Sequence, residues 1–229
     1  KYMYTLHSLA KFLKKDFDKV NEKDMRKLFI EIDSMDYTLW TINDFKVTVK
    51  KFYKVLNHGK YPEYIDWIKT SMKNSETKLP NDLLKEKDIT ELINACIHPR
   101  DKAIIAVLYE SGARAGELLS MCIRDVDFDE NGAKIAVIGK TGARCIRLIS
   151  STPFLSTWIQ NHPQRDNPES YLWVNVGSTH RGAPLGYPAF TKMIKTAGRL
   201  AKINKKLHPH LFRHSRATYL ANKLTEAQL

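Results

Sequence analysis

The sequence predicts a mainly α protein with a small antiparallel β section, built as two domains. Three observations predict this. Apolar residues recur at helical spacing through most of the chain. Short strand-like runs flank Asn131-Gly132 and Gly139-Lys-Thr-Gly142, both turn signals. A polar stretch over residues 71–82, containing Pro80, separates an all-helical segment, 1–70, from a mixed segment, 83–229, and reads as a linker.

Leu6, Leu9, Phe12 and Leu13 mark a first helix, and Met25, Leu28, Phe29 and Ile32 a second, with Asn21 as its cap. Thr41 is the expected cap of a third, whose face carries Phe45, Val49, Phe52, Tyr53 and Leu56; His58-Gly59 ends it. A short helix over 64–68 completes a bundle. In the second segment Asp88 is expected to cap a helix through Ala95, and 99–109 forms another. Ser111-Gly112 breaks the run, and 115–122 resumes it. Strands are predicted over 126–128, 134–138 and 144–149, and a strand edge over 171–174. Thr152-Pro153 opens a helix, since proline suits the first helical position. Residues 175–188 read as loop. An amphipathic helix follows, with Phe190, Met193, Ile194 and Ala197 on one face and Lys192, Lys195, Arg199 and Lys202 on the other. A helix around His210 closes the pattern.

Composition narrows the function classes. The net charge is +12 and is unevenly spread: +4 over 1–76, zero over 77–189, and +8 over 190–229, where Glu226 is the single acid. A basic excess gathered in one segment predicts a polyanion-binding surface. No apolar run approaches the roughly 18 residues of a membrane span, and no secretory leader opens the chain, so a cytoplasmic protein without membrane contact is expected. Lys1 in place of Met suggests a fragment or a processed chain. Cys96, Cys122 and Cys145 lack paired spacing and are expected to be buried small apolar side chains rather than disulfides or zinc ligands.

Four residues stand out chemically. Arg114 follows a helix-breaking glycine and opens a new helix, where free N–H groups and the positive end of the dipole favour an anion. Its planar fork can grip a phosphate, and Glu117 one turn on can fix the guanidinium. Lys140 sits at a hairpin tip, where an ammonium can enter a groove and donate a proton to a leaving oxygen. His210 and Arg213, three apart, share a helix face and can meet one phosphate. His210 and His214 have a zinc-compatible spacing, but no acid lies near and Arg213 and Arg216 repel a cation, so no metal is expected. Walker, nucleophile-elbow and zincin motifs are absent from the sequence.

The run Ser111-Gly-Ala-Arg114-Ala-Gly-Glu117-Leu-Leu119, then Asp125-Val-Asp-Phe with Gly139-Lys140, then His210-Leu-Phe-Arg213-His214, resembles the three ordered boxes of the tyrosine recombinase family, the phage integrases and Xer proteins. The ending Arg213-His-Ser-Arg-Ala-Thr218 looks most like archaeal integrases. The resemblance implies a helical core-binding domain over 1–70 and an α+β catalytic domain over 83–229. It implies a site-specific DNA recombinase, for integration and excision or for chromosome and plasmid resolution. Arg114 and Arg213 would hold the scissile phosphate, Lys140 would protonate the departing 5′ oxygen, and His210 would assist proton transfer. A tyrosine would attack phosphorus to give a 3′-phosphotyrosyl intermediate, without metal or nucleotide. The implied partner is double-stranded DNA, held by a homotetramer, with no small-molecule substrate. In the family the nucleophilic tyrosine and a third His/Trp box lie C-terminal to the second box, beyond Leu229. Tyr219 and Tyr187 do not stand at that position, and Tyr219 is expected to be a packing residue. Residues 1–229 alone are therefore expected to bind DNA without cleaving it. The alternatives are a non-catalytic DNA-binding module or truncated integrase fragment acting as a site-binding or regulatory protein, and an unrelated basic nucleic-acid-binding protein.

Overall fold

The computed structural model describes residues 2–71, 82–139, 142–177, 180–221 and 223–224. The chain divides into two compact units, Lys1–Thr77 and Lys78–Leu229. It is mainly helical with one small antiparallel sheet, as the sequence predicts.

The first unit packs α1 (Tyr2–Leu13), α2 (Glu22–Asp33), α3 (Leu39–Leu56) and α4 (Glu63–Asp66). Asn21 caps α2 through a reciprocal box: its side chain accepts the Asp24 N–H at 3.0 Å, and Asp24 accepts the Asn21 N–H at 3.1 Å. All four apolar residues of the predicted α2 stripe are buried. They join Leu9, Phe45, Val49, Tyr53, Ile65 and Ile68 in one core, each worth about 1.5–3 kcal/mol of transfer free energy. Thr38, not Thr41, caps α3. The Thr38 hydroxyl accepts the Thr41 N–H at 3.3 Å, so the helix starts three residues earlier than expected. Tyr53 is fully buried yet satisfied, its hydroxyl donating to the Phe17 carbonyl at 2.9 Å.

The second unit contains α5 (Glu86–Ala95), α6 (Pro99–Ser111), α7 (Ala115–Leu119), β1 (Val126–Asp129), β2 (Gly132–Gly139), β3 (Gly142–Leu148), α8 (Thr152–Gln160), α9 (Tyr187–Leu200) and α10 (Pro209–Ala221). The sheet order is β1-β2-β3, with Asp129 paired to Gly132 and Gly139 to Gly142. Ala133, Ile135, Val137 and Leu148 point from one sheet face into a core that also holds α6, Trp158, Trp173, Phe190 and Phe212.

Several expectations are corrected. Asp88 is inside α5, and its carboxylate reaches back to accept the Lys85 N–H at 2.8 Å. α7 stops at Leu119 rather than 122. The next backbone groups are taken by another segment, the Leu172 N–H donating to the Met121 carbonyl at 2.8 Å and the Ile123 N–H to the Ser170 carbonyl at 2.9 Å. Residues 171–174 make only isolated bridges, Cys122 with Tyr171 and Val174 with Pro184, instead of a strand edge. The cysteines are free, but only Cys96 is buried; Cys145 is exposed on β3 because it alternates away from the core face. The predicted linker falls mostly on 72–81, outside the described residues.

The two ends of the second unit are tied together. The Leu84 N–H donates to the Ser215 hydroxyl at 2.8 Å, and that hydroxyl donates to the Leu211 carbonyl at 2.8 Å. The Lys205 ammonium donates to the Leu83 carbonyl at 2.7 Å and to Asp88 at 2.6 Å. α10 also packs along α6.

Candidate phosphate-binding site

The site is organised around the turn between α6 and α7. Gly112 ends α6 in the left-handed conformation, φ 56°, which suits a residue without a Cβ. Two residues on, Arg114 is extended, at φ −71° and ψ 150°, and caps α7. Its N–H donates to Glu117 Oε2 at 2.9 Å and its guanidinium Nη1 to Glu117 Oε1 at 2.8 Å. The Glu117 side chain is 3% exposed, while that of Arg114 is 38% exposed. The acid lies beneath the site and the guanidinium reaches its surface.

α10 brings the second arginine to the same turn. Arg213 Nη1 donates to the Gly112 carbonyl at 2.6 Å. That carbonyl lies at the negative end of α6, a favourable seat for a guanidinium. His210 is exposed in the first turn of α10, three residues before Arg213. Just before the helix, the His208 ring nitrogen Nδ1 accepts the Leu211 N–H at 3.2 Å. Tyr219 is half-buried on α10, packed against Arg216 and accepting from the Lys223 ammonium at 2.6 Å.

Glu117 has a second cationic partner that sequence reasoning missed. Arg144, on β3, donates from Nη2 to Oε2 at 2.7 Å and from Nη1 to Oε1 at 3.2 Å. The hydrogen bonds from Arg144, joined by those from Arg114, hold the Glu117 carboxyl down to about 2 despite its burial. One carboxylate between two guanidinia leaves a net positive charge, so an anion is the natural ligand. A signal was available: Arg144 has the same strand parity as Ile146 and Leu148, so it stands on the core face, where a charge needs a partner.

Of the four residues predicted for the site, Arg114 and Arg213 meet at the Gly112 turn, and His210 lies one helical turn from Arg213. Lys140 lies outside the described residues; the flanking pair Gly139–Gly142 is the last rung of its hairpin. Among the described residues, no group of three or more His, Cys, Asp or Glu could hold a metal ion, and no helix is long and apolar enough to cross a membrane.

The fold is that of a tyrosine recombinase. It superposes on a XerH site-specific recombinase bound to its difH substrate in a pre-cleavage complex with a TM-score of 0.73 at 17% identity, covering 97% of this chain and 67% of that one. Residues 82–228 match the Phage integrase family, to which the chain belongs. It is 31% identical over 193 residues to tyrosine recombinase XerD of Staphylococcus haemolyticus, covering 79% of this chain. It is 24% identical over 229 residues to tyrosine recombinase XerA of Saccharolobus solfataricus, covering 95% of this chain. The chain spans 62% of the XerD relative's length and 70% of the XerA relative's.

Proposed function

We propose that these residues form the DNA-binding and phosphate-activating part of a tyrosine-type site-specific recombinase. The observation that carries this reading is the convergence of Arg114 and Arg213 on one turn, the first fixed by Glu117 and the second by the Gly112 carbonyl. Two forks held this way suit the two non-bridging oxygens of a phosphodiester and the extra charge of its pentacoordinate transition state. Residues 1–70 act as the core-binding domain and 83–229 as the catalytic domain on double-stranded DNA, in a homotetramer and in the cytoplasm.

In the reaction a tyrosine hydroxyl loses its proton as its oxygen bonds phosphorus, and the bond from phosphorus to the 5′ oxygen breaks with its electron pair on that oxygen. Lys140 supplies the proton that makes a free 5′ hydroxyl, and His210 assists proton transfer by accepting the one that the tyrosine loses. The products are a 3′-phosphotyrosyl diester and a free 5′ end. No metal or nucleotide takes part. The reading assigns no tyrosine among the 229 residues to this attack, so these residues alone bind duplex DNA without cleaving it.

The test uses the full-length gene product and a nicked suicide duplex that traps the covalent complex. The wild-type protein is expected to form an adduct stable to detergent. Arg114→Ala and Arg213→Ala are expected to bind the duplex nearly normally and to form none. Normal adduct formation by either variant refutes the roles assigned.

A further inference from the structure

Glu117 is shared by two parts of the fold that are remote in sequence, α7 and β3. Arg114 holds it from the cap of α7 through backbone and side chain, and Arg144 holds it from β3 through both arms of its fork. The end of β2 closes on the same group. A Cβ added at Gly139 would fall 2.2 Å from Glu117 Oε1 and 2.9 Å from its carboxyl carbon. A carboxylate held by four hydrogen bonds cannot swing aside, so only glycine lets the strand come this close. Gly139 pairs with Gly142, and Arg144 with Val137, so both contacts are made at the tip end of the β2–β3 hairpin.

We propose that Arg144 is a positioning residue that clamps this hairpin onto Glu117, so that the lysine following Gly139 is delivered to the phosphate held by Arg114. Arg144 touches neither phosphate nor leaving group in this assignment; it acts through Glu117 and the strand end. One carboxylate then sets both the arginine that grips the phosphate and the strand that carries the proton donor. The inference rests on the recombinase reading, and the experiment separates the two.

Cleavage rates are compared on two nicked suicide duplexes, one with the natural 5′ oxygen at the scissile bond and one with a 5′-bridging sulfur, whose departure needs no proton. The wild-type full-length protein is expected to cleave both. Arg144→Ala is expected to lose about 100-fold on the oxygen substrate, the scale of a lost general acid, and to run close to the wild-type rate on the sulfur substrate. Gly139→Ala, which strikes the same contact from the other strand, is expected to show the same pattern. Arg144→Lys keeps the charge without the fork and is expected to fall between. Equal slowing on both substrates, as misfolding or a displaced Arg114 would give, overturns the inference, as does unchanged cleavage of the oxygen substrate. Failure of the wild-type protein on both substrates overturns the recombinase reading itself, and this inference with it.

Discussion

The Arg213 guanidinium donates to the Gly112 carbonyl oxygen at 2.6 Å, joining residues 101 apart in the chain. The bond turns a helix-ending carbonyl into the seat of one of the two arginines proposed to hold a phosphate, and the other, Arg114, lies two residues later.

This makes Gly112 a sensitive position. Its left-handed φ of 56° costs a residue with a Cβ about 1–2 kcal/mol. Space is not the obstacle, since a Cβ there would meet Arg216 Cγ at an ordinary 3.8 Å. Gly112→Ala is expected to destabilise the protein by that backbone cost alone, measured by urea unfolding. An unchanged midpoint would show that the turn does not need the left-handed form.

Gly132→Ala should be worse. Gly132 has φ 127°, and an added Cβ would lie 2.3 Å from the Leu148 carbonyl oxygen, a backbone atom that the β2–β3 ladder holds in place. A loss of at least about 3 kcal/mol is expected, since strain and overpacking add. Thermal unfolding within a degree of wild type would contradict the register.

Glu117 makes stability depend on pH. Its carboxyl is lowered from 4.5 to about 2 in the folded chain, so it contributes stability that is fully present above about 4.5 and is lost as pH falls toward 2. Glu117→Gln is expected to cost about 2 kcal/mol at neutral pH, below the full price of breaking a buried pair because both guanidinia are about a third exposed. Its stability should also change less than wild type between pH 4.5 and 2. Parallel unfolding curves across that range would remove Glu117 as the source.

Duplex affinity is expected to fall steeply with salt, because contacts between lysine or arginine and phosphate release counterions. α9 carries Lys192, Lys195 and Arg199 together along one groove. Lys195→Ala with Arg199→Ala is expected to reduce the slope of log affinity against log salt by about 2 while weakening all sequences alike. A slope unchanged in fluorescence anisotropy titrations would exclude this face from the DNA contact.

Local chemistry was readable from the sequence and distant register was not. The Asn21 cap, the α2 stripe and the Asn131-Gly132 turn follow from neighbours within four residues, so sequence spacing suffices. Glu117 was legible as a partner for Arg114 for the same reason. Arg144 lies 27 residues from Glu117, and its role depends on which way β3 faces and how far β2 runs, which the hairpin register decides. Thr38 and Thr41 are both competent caps by residue type, and spacing alone does not choose between them; in the fold the Thr38 hydroxyl takes the Thr41 N–H. The stretch 171–174 has strand-like residues, but its backbone partners come from loops, so no ladder forms.

The tie between Leu84 and Ser215 has a consequence for how the molecule is made. Contacts across 131 residues form late, because closing such a loop costs entropy before it yields any contact. Synthesis runs from the N-terminus, and folding of early segments follows it. A nascent chain whose residue 215 is still inside the ribosome can shape the Gly112 turn, yet it lacks the helix bearing His210 and Arg213. The two arginines proposed to hold the phosphate therefore come together only after residue 213 has left the ribosome, about a hundred residues behind the turn that receives it.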